Sequence, residues 1–151
     1  MDEIPHGSHE KDSCMMRSSF TVPGDPVGKP RMTRSDKWQQ RPAVLKYREW
    51  ADKARQEATG NPKKKITDDI IGITIYAHFA IPESWSKSEK ERHYGRLDRS
   101  SSDADNVLKS AMDALFAQDK TIAFANAVKF WCEEGAEPRT DIFLFSLPGE
   151  A

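Results

Sequence analysis

Within SSSDADNVLKSAMDALFAQDKTI, residues 100–122, Asp103 and Asp105 stand one residue apart, Lys109 follows one helical turn later, and Asp119 lies just past the apolar run. Carboxylates are hard oxygen donors, and Mg²⁺ favours oxygen ligands while keeping waters that a substrate phosphate can displace. Asp103, Asp105 and Asp119 are therefore candidate ligands for a divalent cation that activates water and neutralises a phosphate under attack. Lys109 is the candidate cation beside the pentavalent transition state, or the group that orients the nucleophile. The same residues admit a structural reading. Ser102 followed by Asp105 fits a capping box, acids suit a helix N-terminus, and Lys109 can be an ordinary ion-pair partner of Asp105 or Asp113.

Either reading needs a helix here, and the sequence supplies one. Val107, Leu108, Ala111, Met112 and Leu115 give its packing face, while Asp105, Lys109 and Asp113 align on another. Upstream, IIGITIYAHFAI sets Ile71, Ile73, Ile75, Ala77, Phe79 and Ile81 against Thr74, Tyr76 and His78, the period of a strand. Pro42 suits a first helical turn, and Val44, Tyr47, Ala51, Ala54 and Ala58 recur at helical spacing before Gly60. A short strand around Phe20 to Val22, one or two helical turns over 86–93, and two alternating segments, about 121–132 and 140–147, complete the set. EEGAEPR, between those last two, reads as a hairpin loop. The predicted fold is a single α+β domain, a mixed β-sheet of about four strands with helices packed on one side, in the order β-α-β-(short α)-α-β-β. Residues 1–17 read as a loose tail, leaving 18–151 as the folded domain.

The net charge of −1 hides an uneven distribution. From Lys29 to Lys65 twelve basic residues face four acidic ones, a net of +8, so the rest of the chain carries −9. Together with Trp38 and Tyr47, which could stack on bases or belong to the core, this cationic segment points to a polyanionic partner. No apolar run approaches the ~20 residues of a membrane span, and the N-terminus lacks a secretory pattern, so a cytoplasmic location is expected. Cys14 and Cys132 have no metal or redox spacing and read as free thiols. His6 and His9 lack a third ligand nearby.

DADNVLKSAMDAL, residues 103–115, followed by Asp119 and a strand carrying Lys129, resembles the D-x-D-N-x-x-K-x-x-x-D-A-L core of RusA-type Holliday-junction resolvases, endonucleases common in phages and prophages. The likeness covers most of residues 18–147 and includes GDPVGKPRMTRSDKW, which looks like the family's basic N-terminal loop. It implies that Asp103, Asp105 and Asp119 are metal-binding catalytic acids and Lys109 a catalytic lysine, with Mg²⁺ as cofactor and Mn²⁺ able to substitute. Lys29, Arg31, Arg34, Lys37, Arg96, Arg99 and Lys129 are the cations the resemblance assigns to DNA. A symmetric homodimer acting on branched DNA in a bacterial or phage-infected host cell is also implied. A four-way junction has two-fold symmetry and must be cut in opposed strands, which two sites related by a C2 axis can do.

Two positions depart from the family pattern. Gln118 stands where an acid usually precedes the last aspartate, and Ser101 and Ser102 replace a Lys-Pro before the first, a loss of charge that Arg96 or Arg99 can offset. Asp113 matches the motif, although its place in the helix suits a structural role equally. Beside Mg²⁺-dependent junction resolution stand two other readings: a junction-binding or architectural protein of the same descent with weakened catalysis, and a DNA-binding module that uses the basic segment alone.

Overall fold

The computed structural model describes residues 15–31 and 41–148. Seven elements follow in the expected order: β1 (Met15–Pro23), α1 (Pro42–Thr59), β2 (Gly72–Phe79), α2 (Lys87–His93), α3 (Ala104–Leu115), β3 (Phe124–Trp131) and β4 (Arg139–Ser146). Their boundaries have local causes. Pro42 sits in the first turn of α1, where its missing N–H is no loss, and Gly60 ends that helix at φ +79°, a left-handed conformation that side chains resist. Ser86 caps α2 by accepting the Glu89 N–H at 3.2 Å. β1 is longer than the sequence suggests, because its pairing with β4 runs back to Met15 opposite Ser146.

The sheet is mixed, ordered β1-β4-β2-β3, with β2 and β3 parallel and the other neighbours antiparallel. EEGAEPR therefore does not close a hairpin. A parallel β2-β3 pair needs a crossover, which α2 and α3 provide, and β4 then takes the other edge of β2. The loop after β3 must pass the end of β2 to reach that slot.

One face of the sheet carries Val22, Ile73, Ile75, Ala77, Ile142 and Leu144 into a core shared with Tyr47, Trp50, Ala51 and Ala54 of α1 and Val107, Ala111 and Leu115 of α3. Ile73, Ile75 and Ile142 are wholly buried, each worth about 1.5–3 kcal/mol. Tyr47 is 8 % exposed and belongs to this core, so it is not a stacking platform. The opposite face is aromatic and uncovered among the described residues: Tyr76 lies edge-on to Phe130 and Phe143, and Phe124 meets Phe145. Phe124 also explains Gly72, its cross-strand neighbour, since a Cβ there would fall 2.0 Å from the ring. Cys132 is a buried free thiol, held protonated by burial; Cys14 lies outside the described residues.

Candidate active site

Helix α3 runs along the core side of the sheet and carries the D-x-D-N-x-x-K sequence at its N-terminal end. The N-cap is Asp103, not Ser102: Asp103 O accepts the Val107 N–H at 3.1 Å. The expected capping box is thus not formed, and the Asp103 side chain makes no cap hydrogen bond. Its carboxylate is exposed at the helix end where an anion is electrostatically favoured. Asp105, in the first turn, pairs with Lys109 at 3.1 Å, and both side chains are mostly in water.

The basic loop after β1 is fastened along the same helix. Val27 O accepts the hydroxyl of buried Ser110 at 2.7 Å, the Lys29 N–H meets Asn106 O at 3.3 Å, and the Lys29 ammonium pairs with Asp113. Asp113 therefore anchors the loop, which is the structural role open to it, and part of Lys29's charge is spent within the chain. Arg31 is exposed, and its carbonyl accepts from Arg41 at 2.7 Å. Arg34, Lys37 and Trp38 lie outside the described residues.

On the other side of the helix end, residues 98–102 form a turn around an aspartate that no motif in the sequence singles out. Asp98 is 4 % exposed. Its Oδ1 accepts the N–H groups of Ser100 and Ser101 at 2.8 and 3.0 Å, while its Oδ2 is buried without a partner. Lys129 reaches from β3 to donate to Ser101 O at 3.2 Å, and the Asp98 N–H returns a hydrogen bond to Lys129 O. Lys129 thus sets one cation beside Ser101. Arg96 and Arg99 are exposed in the same connection.

Asp119 follows the opposite end of α3, whose twelve residues span about 18 Å. Among the described residues, no three His, Cys, Asp or Glu side chains converge closely enough to hold a metal ion. One chain therefore does not gather Asp103, Asp105 and Asp119 into a cage. Two exposed carboxylates at a helix N-terminus still suit Mg²⁺, which is commonly held by one or two carboxylates with water and substrate phosphate completing the shell.

Exposed acids flanked by cations on two loops make a surface suited to a large, charged substrate. Residues 23–144 match the family model for an endodeoxyribonuclease, which makes nuclease the class of this protein. That family is RusA, and the chain belongs to it. A comparison with individual curated proteins found no match. No helix among the described residues is long and apolar enough to cross a membrane.

Proposed function

We propose that the protein is a Mg²⁺-dependent, structure-selective endodeoxyribonuclease that resolves four-way DNA junctions by paired phosphodiester hydrolysis. The observation that carries this reading is the Asp103 carboxylate, which makes no cap hydrogen bond, beside Asp105 at the start of α3, in a chain of the RusA family. Bound Mg²⁺ would supply Lewis-acid stabilisation of the scissile phosphate and a more acidic water. Asp103 and Asp105 would hold the cation, and Lys109 would offset charge that grows on the phosphate. Lys129, with Asp98, fixes the turn that leads into Asp103. Lys29, Arg31, Arg34, Lys37, Arg96 and Arg99 bind phosphates and set register without reading sequence.

The enzyme acts as a C2 homodimer, because opposed strands of a two-fold junction require two related sites. The uncovered aromatic sheet face is the surface proposed for that contact, an apolar patch of the kind that marks interfaces. Incubation with a labelled four-way junction tests the whole reading: symmetric nicks that need Mg²⁺ or Mn²⁺ support it, and an intact junction overturns it. Gln118 and the lack of a three-acid group among the described residues favour a second reading, a junction-binding protein with weakened catalysis. Tight binding without nicks would support that one.

A further inference from the structure

A cleft of about 450 Å³ opens beside the candidate site, between the turn entering α3 and the ends of β2 and β3. Ser101 and Ser102 form one wall and lead directly into Asp103; Phe79, Trp85 and Trp131 form another, and Lys46 of α1 stands at the edge. The volume is in the range of small-molecule sites, yet the walls combine flat aromatic surface with hydroxyls, the Lys46 cation and the Asp25 carboxylate, an acceptor for base amino groups. A nucleobase presents the complementary chemistry: a π-face, hydrogen-bonding edges and a phosphate behind.

Trp131 is core, at 5 % exposure. Trp85 is only half-buried and is braced from one side, 5.1 Å edge-on from Trp131 and 4.7 Å from the His93 ring. His93 is itself held by its Nδ1 contact with Glu89 O at 2.6 Å. Helix α2, which carries His93, buries no side chain of its own. A helix that adds nothing buried to the core, but whose last residue packs on a tryptophan lining a cleft, acts to hold that ring in place.

We propose that this cleft receives an unstacked nucleobase next to the scissile phosphate, with Trp85 as its stacking platform and Ser101 and Ser102 beside its edge, and so helps decide where the strand is cut. The inference rests on the Asp103 end of α3 acting on a DNA phosphate. Bases at a branch point have already lost part of their stacking, which lowers the cost of turning one out. Stacking on an aromatic ring tolerates any base, so preference would come from the serine hydroxyls, which can both donate and accept.

A double-mutant cycle between protein and DNA tests this. After the cut is mapped with the wild-type protein, each of the four nucleotides around it is made abasic in turn. Junction binding is then measured in Ca²⁺, and single-turnover cutting in Mg²⁺. Trp85→Ala should weaken binding or cutting of the intact junction by roughly 5- to 100-fold and should have little further effect at one abasic position, because ring and base act as a pair. Trp85→Phe should retain most function. Trp85→Leu, which fills space without a π-face, should behave as alanine and serves if the alanine variant melts too low. Equal losses on intact and abasic junctions at all four positions, or wild-type behaviour of the leucine variant, would overturn the base pocket while leaving the nuclease reading intact. Failure of the wild-type protein to cut or bind any junction removes that reading and the pocket with it.

Discussion

The Lys129 ammonium donates to the carbonyl of Ser101 at 3.2 Å, two residues before Asp103. Lys129 belongs to the last turn-facing stretch of β3, so a strand side chain steadies the entry to the helix that bears the candidate acids. Asp98 grips the same turn from within through the Ser100 and Ser101 amides. A hydrogen bond involving a charged group is worth about 1.5–3 kcal/mol. Lys129→Met, which keeps the stem, should lower stability by about that much and slow cutting more than it weakens junction binding. Denaturant melts and single-turnover assays measure the two effects; an unchanged rate would take Lys129 out of the site.

The elements were legible in the sequence because burial imposes period. Val44, Tyr47, Ala51 and Ala54 mark α1, the Ile71-to-Ile81 alternation marks β2, and each signal is local. Strand order is not local. Nothing in residues 139–146 states that they enter between β1 and β2, and the short loop before them suggested a hairpin. Ser102 and Asp103 are both good caps, so the helix start shifted by one residue. Asp98 was invisible for another reason: a lone aspartate in a serine-rich loop reads as solvated, and only the fold buries it.

A pH dependence follows from His78, which is buried on β2 beside Asp141 and Arg139 and stacked on Phe130. Burial, then the Arg139 charge, pushes its pKa below the usual 6.5, although Asp141 pulls the other way. The folded chain therefore resists protonation that the unfolded chain accepts. Stability should be full above pH 6.5, fall as pH drops below that value, and level off beneath the folded-state pKa, with a slope of at most about 1.4 kcal/mol per pH unit from this group. Urea midpoints between pH 7 and 5 should fall for the wild type and less for His78→Asn. Parallel curves would assign the loss to other groups.

The aromatic sheet face makes the dimer testable. Tyr76 is 37 % exposed there, so Tyr76→Glu can be tolerated by a lone chain but would leave a desolvated charge in a stacked pair. Light scattering should report a dimer for the wild type and a monomer for the variant, which should also lose paired cutting. A variant that remains dimeric would move the contact to another surface.

The sharpest distinction concerns Lys109, whose pairing with Asp105 at 3.1 Å is what an ordinary helix ion pair would also give. The side chains are 63 % and 73 % exposed, so the pair adds only about 0.3–0.5 kcal/mol to stability. Lys109→Ala should therefore melt near wild type and bind the junction as a dimer. A cation placed where transition-state charge develops is worth far more, on the order of 10² to 10³ in rate. Asp103→Asn and Asp105→Asn set the comparison, since each removes metal-ligand charge and should abolish cutting while sparing phosphate contacts. Lys109→Arg separates charge from shape, because a planar guanidinium spreads its charge and cannot replace a compact ammonium in a tight site. Cutting slowed about 10²-fold or more in both lysine variants places a compact cation at the reacting phosphate. Full activity in the arginine variant alone means that only charge is needed there. Full activity in the alanine variant would return Lys109 to the surface of α3 as a simple partner of Asp105.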